Sequence, residues 1–422
     1  MIRGIGVSND GRGSGFLAPS QRGQVRAMRA AYDQAQLDPA DVSWLECHAT
    51  GTRVGDGTEI ASLSEVFGSR GDGLAIGSLK ANLGHLITAS GAAGLLRVLE
   101  TMAQRVLPPT PAAHELHEAL AATPFEVLSE ARPWTQARRI AGVSAFGFGG
   151  NNAHLIVEAW PTSEPRVAAN KQASKPRPAI AIVALGVRAA TRTSAGDFAD
   201  ALYHDTSELR SGAPGLDTPS AFMADVSLGL AGTRFPPRDL RESLPQQLAL
   251  LAACGEAIDT LGEAAFDSER TAVLVGMQCD TTVARHGGRW RMAEWGARWG
   301  ASDEWIAAAR DGFAPLLGSA GVLGCMPNIC ANRVNSHFDF CGPSYTVSSE
   351  ELSGVRALQI ARRDLSLDRL DMAIVGAVDL CAEPAHQAAY AELAGARPAG
   401  DAAVVLVLER LVDAHKSGHR VL

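Results

Sequence analysis

Three stretches of the sequence carry residue types that could do chemistry at short spacing. The first is Glu46-Cys-His-Ala-Thr-Gly-Thr52, with Gly55, Asp56 and Glu59 close behind. The second is Gly77-Ser-Leu-Lys-Ala-Asn-Leu-Gly-His85. The third is Gly142-Val-Ser-Ala-Phe-Gly-Phe-Gly-Gly-Asn-Asn-Ala-His154. His48 and the Lys80–His85 stretch each follow a short apolar run and enter a turn. In α/β sheets, ligands bind where strands end. The glycines of the third stretch let backbone pass close to a ligand and offer N–H groups to a developing oxyanion. Each feature also has a plain structural explanation: a hydrogen-bonded histidine, a turn, a core phenylalanine. Their combination is what suggests a site.

The elements that must position these residues read as alternating strands and helices. Before residue 160 the pattern predicts helices at 24–36, 59–67 and 91–104, and strands at 42–46, 74–76, 140–144 and 154–158. The opening Met-Ile-Arg-Gly-Ile-Gly-Val-Ser reads as a strand that begins at once. It lacks the apolar core of a signal peptide. After residue 178 the pattern predicts strands at 179–185, 271–276, 372–375 and 402–408, and helices at 245–261 and 351–362. Such alternation implies sheets layered with helices. Between them, residues 159–178 are polar and proline-rich, as an exposed linker would be. The segment from Leu37 into the strand before His48 echoes the segment from Leu367 into the strand ending at Asp379, which hints at a duplicated half. Trp290, Trp295, Trp299 and Trp305 crowd one stretch, expected to be a helix packed on the core, or else the wall of an acyl tunnel or a dimer contact.

Composition narrows the class. A net charge of −8 argues against a nucleic-acid surface. Seven scattered cysteines suit reduced thiols in a cytoplasmic protein rather than a disulfide framework. Cys325 and Cys330 stand closest, but no second Cys/His pair completes a zinc site with them, and no metal is expected. No apolar run is long enough for a membrane span of about 20 residues. Gly4-Ile-Gly-Val-Ser-Asn-Asp-Gly11 touches on a dinucleotide fingerprint, but it lacks the helix and the spaced acidic residue.

Taken together, the three motifs resemble the C-terminal half of the β-ketoacyl synthases, the condensing enzymes of fatty-acid and polyketide synthesis. The resemblance spans residues 1–158. It implies that His48 and His85 donate hydrogen bonds to a malonyl thioester carbonyl as carbon dioxide leaves. It also implies that Lys80 pairs with Glu59, that Phe146 gates the nucleophile, and that the backbone from Phe146 through Phe148 to Gly149 forms part of an oxyanion hole. Residues 179–422 resemble the N-terminal half of the same fold. There the approach Pro327 to Val347 would lead to a nucleophilic cysteine, but the chain reads Ser348-Ser-Glu-Glu-Leu-Ser-Gly354. Glu351 takes the cysteine's place, as in chain-length-factor domains. Cys341, ten residues upstream, lies outside the nucleophile position.

The resemblance therefore implies an α/β, thiolase-like αβαβα layered fold with its halves in permuted order. Its domains would be a ketosynthase C-half (1–158), a linker (159–178) and a chain-length-factor-like N-half (179–422). Such proteins take acyl groups from the phosphopantetheine of an acyl carrier protein and need no further cofactor. A dimer or a complementary ketosynthase half is the expected partner. The chain's two ends would be nearly continuous in a whole synthase, which suggests a central fragment or permuted halves. Three functions stay open: a condensing enzyme lacking its own cysteine, a non-condensing chain-length-factor-like partner, and a malonyl-thioester decarboxylase.

Overall fold

The computed structural model describes the chain apart from positions 14, 16, 72, 112–115, 161–177, 205–206, 211–219, 224, 227, 229–232, 263–266, 382, 384, 389–391 and 393–398. The expected linker thus falls almost wholly outside the described residues. The chain divides into two compact units. One holds Met1–Pro176 with Phe338–Ser344, and the other holds Arg177–His337 with Tyr345–Leu422. Among the described residues no helix is long and apolar enough to cross a membrane.

The strands, in chain order, are β1 (Ile2–Asn9), β2 (Trp44–Glu46), β3 (Leu74–Gly77), β4 (Val106–Leu107), β5 (Phe125–Val127), β6 (Arg132–Pro133), β7 (Ile140–Gly147), β8 (Asn151–Glu158), β9 (Ile180–Ala189), β10 (Thr271–Gly276), β11 (Ser344–Val347), β12 (Met372–Asp379) and β13 (Ala402–Arg410). In the first unit they order as β1-β8-β7-β2-β3-β5, with β4 and β6 pairing apart. β1, β8 and β7 are antiparallel neighbours, whereas β7, β2, β3 and β5 run parallel. The central strands are buried along their length, as parallel strands covered on both faces must be. Helices α1 (Gln21–Ala35), α2 (Arg53–Phe67), α3 (Lys80–Leu83) and α4 (Ser90–Gln104) follow the early strands. Ser20 caps α1 by accepting the Gly23 N–H, and Thr52 caps α2 by accepting the Gly55 N–H.

In the second unit the order, read from the opposite edge, is β9-β13-β12-β10-β11. The duplication hinted at by the sequence is present in this order, but not where the echoed segments put it. By sheet position β2 matches β10 and β7 matches β12, so the Leu37 and Leu367 segments lead into non-equivalent strands. A better marker is a glycine in each opening strand. A Cβ on Gly6 would stand 1.8 Å from the Ala27 carbonyl oxygen, and one on Gly186 would stand 1.9 Å from that of Ala253. In each unit the first strand lies against a helix too closely for any side chain.

Several element ends differ from the sequence-based expectation. α1 starts at Gln21 and α2 already at Arg53, because their caps, Ser20 and Thr52, lie well upstream of the first apolar repeat. The glycine-rich third stretch is mostly strand, with only a tight turn between Gly147 and Asn151. The expected helix from Glu351 begins at Ser353, after a 3-10 turn over Glu350–Leu352. The tryptophan stretch forms two helices, Thr282–Arg298 and Asp303–Phe313. Its rings pack on one another, Trp295 on Trp299 and Trp299 on Trp305, both at 6.3 Å between centroids. Trp290 and Trp299 are 73% and 64% exposed, so they are not the core residues expected.

Candidate active site

The parallel register explains why distant motifs meet. Glu46, the last residue of β2, pairs with Gly77 at the end of β3 and with Val143 in β7. The chain leaving β2 carries His48, the chain leaving β3 carries Lys80 and His85, and the end of β7 carries Phe146. All emerge at one end of the sheet. The His48 ring lies 5.6 Å from the His85 ring and 5.6 Å from Phe146, in both cases edge to face.

The two histidines are held differently. Burial pushes His48 down to about 3, with Lys80 and His85 adding repulsion, so its imidazole is neutral at neutral pH. Its Nδ1 is buried without a hydrogen-bond partner. His85 is exposed. Its Nδ1 accepts the Ile87 N–H at 3.0 Å and lies 3.0 Å from Ser90 Oγ. An N–H donor on Nδ1 requires a lone pair there, so the neutral ring carries its proton on Nε2. His85 therefore presents an N–H donor outward. Ile87 adopts φ 50° to deliver that bond, a left-handed conformation costly for a β-branched residue.

Glu59 and Lys80 depart from the expected pairing. Both Glu59 oxygens accept backbone N–H groups, from His48 at 2.8 Å and Ala49 at 2.7 Å. No Lys80–Glu59 ion pair forms, because the carboxylate is turned toward the His48 loop. The two charges act on each other only through space. Burial raises Glu59 to about 7, and burial lowers the Lys80 ammonium from its ordinary value, with Glu46 and Glu59 opposing that shift. Ala49, gripped by Glu59, has φ 24°. Asp56 holds the next turn by accepting the N–H groups of Thr50 and Gly51 at 3.1 and 3.2 Å.

Residue patterning alone does not reveal the ion pair beneath the site. Glu46 accepts the Leu79 N–H at 2.6 Å and pairs with Arg97 at 2.8 Å, and both side chains are buried. Arg97 also lies over the Trp44 ring at 5.4 Å. Glu46 thereby ties the end of β2 to the start of the Lys80–His85 segment. Arg97 stands 51 residues from Glu46, in the middle of α4. Apolar spacing identifies that helix but not the contact.

Phe146 is half-buried, and Phe148 is 62% exposed beside it in sequence. Gly149 and Gly150 have φ 85° and 86°, which only glycine adopts freely. Cys47, next to His48, is no substitute nucleophile: burial, with Glu59 and Glu46 nearby, raises its thiol well above the ordinary range. Cys341 is buried in the first unit, its carbonyl accepting the Asn9 N–H at 2.9 Å. In the second unit Glu351 is exposed in its 3-10 turn, following Glu350 at φ 51°.

A family model described as "Beta-ketoacyl synthase, N-terminal domain" matches residues 177–414. The chain belongs to the β-ketoacyl synthase family. The C-terminal domain of that family matches residues 1–114, and its C-terminal extension matches residues 115–210, so the C-half precedes the N-half here. Among curated relatives, a polyunsaturated fatty acid synthase polypeptide of Thraustochytrium is 29% identical over 90% of this chain and 20% of its own length. The hybrid PKS-NRPS synthetase pytA of Aspergillus terreus is 37% identical over 38% of this chain and 25% of its own length. The chain thus spans a quarter or less of either relative. Among solved structures, one titled "PfaC Keto synthase-Chain length factor" matches with a TM-score of 0.84 and 25% identity, over 97% of this chain and 48% of that one. The fold is thiolase-like, and the family is one of condensing acyltransferases.

Proposed function

We propose that this β-ketoacyl synthase chain supplies the enolate-stabilising part of a decarboxylative Claisen condensation on malonyl thioesters carried by an acyl carrier protein. The observation that carries it is the histidine pair, 5.6 Å apart. His85 has its Nδ1 occupied by the Ile87 N–H, which leaves Nε2–H to donate. His48 is kept uncharged by burial. Loss of carbon dioxide from a malonyl thioester puts negative charge on the thioester oxygen. Imidazole N–H donors at that oxygen stabilise the enolate more than the starting carbonyl, and only such a difference lowers the barrier. Lys80 adds positive potential at the same place. The enolate carbon then attacks the carbonyl of an acyl group held on a cysteine that this chain does not supply, forming the carbon–carbon bond as the carbon–sulfur bond breaks and the cysteine thiolate leaves. The second unit serves as a chain-length-factor-like half, in which Glu351 replaces the nucleophile. The named structural neighbour supports that division of roles.

The test is release of carbon dioxide from malonyl-acyl carrier protein by the purified chain. His85→Ala and His48→Ala should each reduce it by about 100-fold or more, the scale of losing one oxyanion donor. Condensation with an acyl thioester should appear only when a cysteine-bearing ketosynthase half is added. Unchanged release in His85→Ala, or condensation by the chain alone, would overturn the assignment.

A further inference from the structure

A second cluster of reactive side chains lies in the other unit, where β12 ends. Asp379 is the last residue of β12, Cys381 follows two positions on, and His386 sits in the helical segment 385–388. His386 Nε2 is 3.9 Å from Asp379 Oδ2, and Cys381 Sγ is 3.9 Å from the same oxygen. The three donor atoms all lie within 4.8 Å of one another. Tetrahedral zinc with bonds of 2.0–2.3 Å sets its ligands about 3.3–3.7 Å apart. The observed spacing is therefore close to that of a zinc edge, and small side-chain rotations would close it.

The surroundings point the same way. Asp401 is buried and fixes the backbone on which the thiol sits, accepting the Cys381 N–H at 2.6 Å and the Met223 N–H at 2.9 Å. A cavity of about 310 Å³ adjoins the same stretch of chain, its wall including Gln246, Asp280, Leu380, Glu383 and Asp401. Gln246 is only 3% exposed. Its amide nitrogen donates to Asp280, while its Oε1 is buried without a hydrogen-bond partner. A buried acceptor of this kind is ordinarily met by an ordered water or an ion. Glu383 is already engaged by Arg285.

We propose that Asp379, Cys381 and His386 form a binding site for a zinc-class divalent cation. Sulfur, imidazole nitrogen and carboxylate oxygen together select a borderline ion such as Zn²⁺ over Mg²⁺ or Ca²⁺, which prefer oxygen alone. Water fills the fourth position. The ion would fasten the end of β12 to the segment that carries His386. Sequence spacing concealed the site, because Asp-x-Cys-x4-His matches none of the familiar zinc patterns.

The experiment uses the full chain, treated with chelator and reductant, then titrated with Zn²⁺ by calorimetry and with Co²⁺ by absorption. One equivalent should bind. The Co²⁺ complex should show a thiolate-to-cobalt charge-transfer band, and Zn²⁺ should raise the melting temperature. Cys381→Ser should abolish the band. His386→Ala, at a more accessible position, should weaken Zn²⁺ by more than about tenfold, since even outer-shell changes cost that much. Cys279→Ser, at an exposed cysteine, should change nothing. Absence of stoichiometric binding, a Co²⁺ complex without the thiolate band, or affinity unchanged in His386→Ala would each overturn the proposal.

Discussion

At the scale of single residues, what distinguishes the site is how protons are assigned. His85 owes its outward N–H to a backbone bond from a strained neighbour, and His48 owes its neutrality to burial. A third histidine shows what that burial costs. His154, in β8, is fully buried and pushed down to about 4 by burial alone, with Nδ1 beside Ser144 Oγ at 3.0 Å. Its folded-state value lies below the unfolded one. As pH falls from about 6.5 the unfolded chain takes up the proton first, so stability falls with pH and has fallen fully by about pH 4. A drop from 6.5 to about 4 is on the order of 3 kcal/mol. Glu59 and Asp10, raised by burial to about 7 and about 6, act in the opposite sense, because they favour the protonated folded state at low pH. The total pH dependence is therefore mixed, but a difference isolates one residue. His154→Gln should lose less stability between pH 6.5 and pH 4 than the parent, by a few kcal/mol, in urea titrations at each pH. Parallel curves for the two chains would show that His154 is not what acid attacks.

At the scale of elements, the site depends on one buried ion pair at the end of β2. Glu46 remains costly to bury even beside Arg97, since burial outweighs the guanidinium and raises its carboxyl. Removing the guanidinium should make this much worse. Arg97→Met keeps most of the volume but strands Glu46, and should destabilise the chain by about 3 kcal/mol at neutral pH. The penalty should shrink as pH falls, because burial already favours the protonated form of Glu46 and protonation removes the stranded charge. Adding Glu46→Gln, which still accepts the Leu79 N–H, should recover part of the loss. Chemical denaturation of the single and double variants measures both effects, and additive losses would mean that the pair is not coupled. The ion pair also marks where the sequence stops being informative. His48, Lys80, His85 and Phe146 were singled out by the resemblance of their motifs, and the ends of the parallel strands bring His48, His85 and Phe146 together. The Glu46–Arg97 contact was not legible, nor was the turn of Glu59 toward the His48 loop, because both depend on how α2 and α4 pack beside the sheet. Element starts were missed for a related reason: caps and 3-10 turns carry no apolar repeat.

At the scale of the whole molecule, the chain joins two copies of one sheet plan with different chemistry at their ends. The first unit brings His48, His85 and Phe146 together where its parallel strands end. The second has a carboxylate at the head of the helix Ser353–Ser366. A nucleophile there would need to form an acyl bond that survives until the enolate arrives. A carboxylate attacking a thioester would form an anhydride, less stable than the thioester it came from, so Glu351 is unsuited to that task. Its charge fits a plainer role. The start of a helix carries partial positive charge, and an exposed acidic residue there contributes about 0.3–1 kcal/mol. Glu351→Gln separates the two possibilities. It should leave carbon dioxide release within about twofold of the parent, less than about 0.5 kcal/mol of barrier. It should also lower stability by about 0.5 kcal/mol, an effect that fades in high salt as the helix-end charge is screened. If Glu351→Gln instead cut carbon dioxide release tenfold or more, the carboxylate would be part of the chemistry. The division of labour between the two units would then have to be redrawn around it.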